Sequence, residues 1–148
     1  MKIVIQRVSR ASVTIDGQVK SAIGKGYMIL LGVAEGDTSE DVDWLVKKVA
    51  SLRVFDDEQG VMNHTYNSHQ RRDTRHQPVY PAGILQEGQP PIMDHAAKHE
   101  VSIPLYNEFC DKLSREIGRQ IGTGEFGADM KVELVNDGPV TSAWTPGT

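Results

Sequence analysis

Between Tyr27 and Val33 the chain reads Tyr-Met-Ile-Leu-Leu-Gly-Val, and an unbroken apolar run of this length fits a strand covered on both faces. It is expected at the centre of a sheet. Lys2 to Val8 and Ala11 to Ile15 read as strands before it, the second joined by Asp16-Gly17 to another from Gln18 to Ile23; Asp-Gly between alternating segments is a strong hairpin signal. Gly24-Lys25-Gly26 makes the turn into the apolar run. Thr38 is placed to cap a helix with Val42, Leu45, Val46, Val49 and Leu52 on one face, early acids Glu40, Asp41 and Asp43, and late Lys47 and Lys48, the order that the helix dipole favours. Arg53-Val54-Phe55 resumes strand before the turn from Asp56 to Gly60. A second helix is expected after Ser102, with Pro104 in its first turn and Leu105, Tyr106, Phe109, Cys110, Leu113 and Ile117 on a broad face. Strands from Ile121 to Phe126 and from Met130 to Val135 follow. The expected fold class is α+β: one domain over residues 1–148, mostly antiparallel sheet or partial barrel, with two main helices.

A formal charge of −4 and a pI near 5.7 argue against a protein that coats polyanions generally, while leaving room for a local basic patch that reads RNA by shape. The one cysteine, Cys110, excludes an internal disulfide and on the helix face reads as a core thiol. Met1-Lys2-Ile3-Val4-Ile5 lacks a signal-peptide layout, and no apolar run approaches the ~20 residues that span a bilayer. A cytoplasmic address and no membrane partner are expected.

Close to the C-terminus, Asn136-Asp137-Gly138-Pro139-Val140-Thr141 interrupts a strand-like alternation of Val132, Leu134 and Val140. Gly138 has no side chain and Pro139 no N–H, so ladder pairing is not what this step serves. Asn, Asp, Gly and Pro together make turns, which gives one reading: a turn after an edge strand. In the other, an X-Pro bond that tolerates the cis form and a glycine that permits close approach hold two carbonyls out as rigid acceptors.

Several blocks in order carry a specific resemblance. Ile5-Gln6-Arg7-Val8-Ser9-Arg10-Ala11-Ser12-Val13, Leu30-Leu31-Gly32-Val33, Leu52-Arg53-Val54-Phe55, Gly124-Glu125-Phe126-Gly127-Ala128-Asp129-Met130 and Asn136-Asp137-Gly138-Pro139-Val140-Thr141 together resemble the D-aminoacyl-tRNA deacylase family, over residues 1–63 and 95–141. The resemblance implies a homodimer that hydrolyses the ester joining a D-amino acid, or glycine mischarged on tRNA-Ala, to the 3′ end of tRNA. It implies that Gly138-Pro139 is cis and enters the neighbouring subunit's pocket as a chiral gate, where its carbonyls block an L side chain. It assigns Arg7 to steadying those carbonyls, Phe126 and Met130 to the pocket wall and its adjoining strand, and Asn136, Asp137 and Thr141 to the substrate-binding motif. Taken singly, Arg7 also fits a surface ion pair, and Phe126 and Met130 simple core. No cofactor, metal or DNA is expected. An activated ester needs orientation and oxyanion donors more than acidic or basic side chains, and in the family the attack is attributed to water helped by the terminal 2′-hydroxyl. No Ser-His-Asp arrangement competes with it.

The family's Ser-Gln-Phe-Thr-Leu signature is missing; where spacing puts it, the chain reads Gln77-Pro78-Val79-Tyr80-Pro81. Residues His64 to Met93 lack strand alternation, contain Arg71-Arg72 and hold four of the seven prolines between Pro78 and Pro91. Codons CAG CCA GTT TAC CCT for Gln-Pro-Val-Tyr-Pro become Ser-Gln-Phe-Thr-Leu when read in the neighbouring frame, after one preceding base change of register. Shifted likewise, Arg71 to His76 becomes a strand-like segment, and Ala143-Trp144-Thr145-Pro146-Gly147 hides Leu-Asp-Thr-Arg. Residues 71–93 and 143–148 are therefore expected to be a frame-shifted reading of an ordinary family member. The alternative is a catalytically impaired RNA-binding or dimeric relative without that pocket.

The five histidines, His64, His69, His76, His95 and His99, sit in one region, but apart from a helical His95/His99 spacing they match no compact ligand motif. Other rivals are a dimerisation module that binds no charged tRNA and a metal-dependent hydrolase that chelation would stop.

Overall fold

A computed structural model describes residues 1–52, 55–56, 59, 62–64, 84–85, 98–118, 120–125 and 128–147. The strands are β1 (Lys2–Ile15), β2 (Gln18–Ile23), β3 (Gly26–Gly32), β4 (Phe55–Asp56), β5 (Met62–His64), β6 (Ile84–Leu85) and β7 (Met130–Trp144). Helix α1 spans Ser39–Ser51 and helix α2 spans His99–Ile117.

One long strand organises the sheet. β1 pairs antiparallel with β3 through its first half, with β2 through its second half, and with β7 along nearly its whole length. The two strands expected from Lys2 to Val8 and Ala11 to Ile15 are thus a single strand: Ser9 and Arg10 are exposed, which breaks the apolar alternation where β1 changes partner from β3 to β2. The Asp16-Gly17 hairpin forms as expected, with φ of 51° and 75°, the pair of positive values that a type I′ turn requires. β3 lies between β1 and the short parallel strand β6, and Tyr27, Met28, Ile29 and Leu31 are all buried. β6 falls where no strand was read. β4 and β5 form a separate antiparallel pair. The result is an open, mostly antiparallel five-stranded sheet in an α+β fold.

Both helices carry the packing that their periodicity implies. Val42, Leu45, Val46 and Val49 of α1 are buried, and the Asp41 carboxylate accepts the Thr38 N–H at 2.8 Å, so an orphan donor at the helix start is satisfied. α2 begins four residues before the expected start and so places Pro104 inside the helix. Its first turn closes on the Lys98 carbonyl, which accepts from Val101 and Ser102 N–H at 2.9 Å each. Leu105, Tyr106, Phe109, Cys110 and Leu113 then enter the core with Ile3, Leu31 and Leu45. Gly118 ends α2 with φ 72°, the left-handed cap that glycine takes at least cost. Lys112 of α2 bridges to Asp43 of α1 at 2.5 Å and to Glu108 at 2.7 Å. The Lys112 contact holds the Glu108 carboxyl below its ordinary pKa.

The strand expected from Ile121 to Phe126 does not form among the described residues; Thr123 makes only an isolated bridge. Side chains hold this segment instead, Ser21 donating to the Thr123 carbonyl at 2.7 Å and Ile121 N–H donating to Ser114 Oγ at 3.3 Å. The missing signature at 77–81 and the frame-shift reading of 71–93 lie outside the described residues, save the backbone of Ile84 and Leu85. At the C-terminal end, Ala143 and Trp144 pair with Val4 and Ile3. The Lys48 ammonium stands 3.9 Å over the Trp144 ring.

Candidate active site

β7 is expected to stop at Val135, yet it runs on to Trp144 by ejecting a loop. Asn136 pairs with Val8 and Thr141 with Gln6, so five residue steps on β7 answer two on β1. The four residues between them, Asp137, Gly138, Pro139 and Val140, stand off the ladder as a bulge opposite Arg7. Extra residues on one strand of a pair bend it and re-aim what they carry.

The bulge forms an arm with an exposed tip. Gly138 and Pro139 are exposed, their peptide bond is cis, and Gly138 has φ 137°. A Cβ at Gly138 would stand 2.8 Å from Val140 Cγ2 and 3.0 Å from Val140 N. Glycine is required here by space and by backbone. Beneath the arm, Arg7 is only 8% exposed; its Nε donates to the Asp137 carbonyl at 3.0 Å and lies 3.6 Å from Asp137 Oδ2. A buried guanidinium bonded to a carbonyl is a strong, charge-assisted anchor. Arg7 does form an ion pair, with half-exposed Asp137, but its own side chain is buried rather than on the surface.

Two more motif residues close the base of the arm. Asn136 Oδ1 accepts the Val140 N–H at 3.2 Å, and Asn136 Nδ2 donates to Thr141 Oγ1 at 3.2 Å. Arg7, Asn136, Asp137, Gly138, Pro139 and Thr141 are thereby brought together. Met130 is not: it pairs with Ile15, half-buried against the core, eight residue rises from Gly138 along β7. Phe126 lies outside the described residues. A groove of about 180 Å³, lined by Arg10, Ser12, Ala22, Ile23, Glu133 and Leu134, opens on the sheet between the arm and Met130. Local periodicity singled out none of these groove residues as site residues.

No group of three or more metal-ligating side chains occurs among the described residues. The side chains of all five histidines lie outside them. Cys110 is buried, and burial pushes its thiol pKa up to about 12, which suits a core thiol rather than a nucleophile.

The family model for D-Tyr-tRNA(Tyr) deacylase matches residues 4–145. A D-aminoacyl-tRNA deacylase of Bacteroides thetaiotaomicron is 55% identical over 141 residues, covering 95% of this chain and 94% of that protein. One from Chromobacterium violaceum is 43% identical over the same shares. Among solved structures, one titled c-Myc DNA Unwinding Element Binding Protein has a TM-score of 0.86 at 34% identity, with both chains covered completely. A probable eukaryotic D-amino acid tRNA deacylase shares the fold, with a TM-score of 0.69 at 12% identity and 97% of each chain covered. On its sequence, through nearly its whole length, this chain belongs to the D-Tyr-tRNA(Tyr) deacylase family.

Proposed function

We propose that this chain hydrolyses the ester bond of D-aminoacyl-tRNA as a homodimer, with the Gly138-Pro139 arm of one subunit closing the pocket of the other. Phe126 and Met130 border that pocket, while Arg7, Asn136, Asp137 and Thr141 belong to the arm and its support. The observation that carries the cross-subunit reading is the separation of Met130 from Gly138 on one strand. Eight rises of strand amount to on the order of 25 Å, too far for a pocket beside Met130 to be closed by its own arm. A second copy can supply it. β7 favours such a partner, since among the described strands it pairs only with β1 and exposes Val132 and Val135; long edge strands are commonly covered.

The chemistry follows from a main-chain gate. The Gly138 and Pro139 carbonyls, on an arm that Arg7 anchors at the Asp137 carbonyl, occupy the space that an L side chain would need, so an L ester is rejected by overlap. A D ester avoids the wall, and glycine has no side chain to reject, which makes glycyl-tRNA a second substrate. The attacking water is oriented with help from the terminal 2′-hydroxyl, a group that DNA lacks. The reading needs no cofactor and places the enzyme in the cytoplasm with its tRNA; no helix among the described residues is long and apolar enough to cross a membrane.

The test uses tRNA charged with a D-amino acid, the matching L-amino acid, or glycine. Release of the D and glycyl esters well ahead of the L ester is expected; equal rates for both hands overturn the gate. Mixing Gly138→Ala subunits with Phe126→Ala subunits should restore activity, because a mixed dimer rebuilds one site from an intact arm and an intact pocket. A site contained within one chain would show no restoration.

A second reading, a catalytically impaired relative, is favoured by Gln77-Pro78-Val79-Tyr80-Pro81 standing in place of the family signature. Resequencing the gene and measuring the intact mass decide between the written residues 71–93 and the shifted frame. On this second reading alone, a chain with the written residues deacylates weakly or not at all.

A further inference from the structure

We infer that Asn136 and Thr141 are positioning residues that staple the base of the arm and thereby set how sharply the enzyme separates D from L esters. The inference rests on the deacylase reading above and assigns these two residues a role through the arm rather than through contact with substrate.

The argument is one of satisfied groups. A bulge that leaves the ladder abandons its backbone hydrogen bonds, and each freed N–H must find another acceptor. Pro139 has no N–H, so Val140 N–H is the donor at the arm's return, and it is answered by Asn136 Oδ1 at 3.2 Å. Because a backbone N–H can only donate, the carboxamide oxygen must face Val140. Its nitrogen then faces Thr141 Oγ1, also at 3.2 Å. One carboxamide therefore ties the residue before the arm to the arm's last residue and to the one after it. Arg7 holds the opposite side through the Asp137 carbonyl at 3.0 Å. With both anchors present, the arm's entry and exit are each fixed, and its direction follows. Without the Asn136 staple, Arg7 holds only the entry side, and the exposed Gly138-Pro139 step can swing about it. A wall that swings admits the wrong hand.

The side-chain chemistry supplies a rescue variant. Asn136→Leu keeps the shape and removes both bonds, whereas Asn136→Asp keeps both, because a carboxylate accepts from Val140 N–H and the Thr141 hydroxyl rotates to donate. Thr141→Val removes one bond and Thr141→Ser keeps it.

Two measurements decide the matter, with thermal melting used to confirm that each variant folds. The ratio of kcat/KM for D over L esters should fall about tenfold in Asn136→Leu, the size expected for two ordinary hydrogen bonds. It should fall less in Thr141→Val and stay near the parent value in Asn136→Asp and Thr141→Ser. Amide hydrogen exchange at Val140 should quicken about tenfold in Asn136→Leu and return in Asn136→Asp. An unchanged Val140 exchange rate in Asn136→Leu overturns the staple; faster exchange with an unchanged D-to-L ratio overturns its role in selectivity. A substrate-contact role would instead raise KM for both hands alike and leave Asn136→Asp unable to rescue. Should the parent chain cut both hands equally, the deacylase gate has failed, and Val140 exchange alone then decides whether Asn136 holds the arm.

Discussion

Arg7 Nε donates to the Asp137 carbonyl at 3.0 Å across 130 residues of sequence. That bond joins the first strand of the sheet to the last at the point where β7 leaves the ladder. Arg7 is buried, so its charge is stabilised by the arm that it stabilises. The fold thus supplies more than a platform: β1 provides the ladder that ends at Gln6, the anchor at Arg7, and the ladder that resumes at Val8.

Arg7→Ala should cost more than a surface arginine does. Removing a charge-assisted bond made by a buried guanidinium costs about 1.5–3 kcal/mol, which corresponds to roughly 10- to 100-fold in kcat/KM for the D ester if the arm must be in place for turnover. Arg7→Lys should recover little, since an ammonium lacks the planar guanidinium that presents Nε to the carbonyl. Steady-state deacylation of D-charged tRNA by the three proteins provides the check.

Gly138→Ala should fail for steric reasons that are local to the arm. The new methyl would meet Val140 Cγ2 at 2.8 Å and Val140 N at 3.0 Å, at a φ of 137°. Side-chain-bearing residues occupy such backbone conformations at a cost of about 1–3 kcal/mol, and here relief requires moving the arm itself. Loss of D-ester turnover with a modest fall in melting temperature is expected. Full activity in this variant would show that the arm does not act as a rigid gate.

The sheet's centre, the hairpin at Asp16-Gly17 and the α1 face could be read from local pattern because each has a period or a turn chemistry of its own. The start of α2 could not: Pro104 signals a first turn, but the helix starts four residues earlier, its first turn closing on the Lys98 carbonyl and burying Ser102. Nor could the unity of β1, where exposed Ser9 and Arg10 interrupt alternation while the ladder with β7 continues on either side. Ile121 to Phe126 reads as strand, but hydroxyls of Ser21 and Ser114 meet its backbone groups where a neighbouring strand would have done so. Of the site, Gly138-Pro139 announced itself as a break in alternation. Its link to Arg7 is a long-range contact that no local period encodes and that only family resemblance supplied. The bonds from Asn136 to Val140 and Thr141 span the ejected loop, whose geometry exists only once β7 pairs with β1 on both sides of it.

Phe109 is fully buried where α2 meets the core shared with α1 and the sheet. Truncating it to alanine removes a large apolar side chain and leaves a cavity that close packing cannot fill completely. Phe109→Ala is expected to lose about 3–5 kcal/mol of unfolding free energy, measured by urea denaturation. Val101→Ala, at a position 45% exposed on the same helix, should change it by less than about 0.5 kcal/mol.

Cys110 gives the pH-dependent prediction. Burial raises its pKa to about 12, above the value of about 8.5 for a free thiol, so the fold favours the protonated form. For an acid with its folded pKa raised, the stabilisation is complete below the unfolded pKa and is lost as pH rises towards the folded one. Unfolding free energy should therefore decline between about pH 8.5 and pH 12, and Cys110→Ala should remove part of that slope. The remainder falls to Tyr106, whose hydroxyl is also held protonated above its ordinary range, by burial first and by Cys110 second. At pH 8 a thiol-specific reagent should find the folded chain unreactive and the urea-unfolded chain fully reactive, because thiolate is the nucleophile and the folded site disfavours it. Rapid labelling of the native protein would mean that the α2 face around Cys110 opens to water, and the core described by Leu105, Tyr106, Phe109 and Leu113 would have to be less closed than its burial indicates.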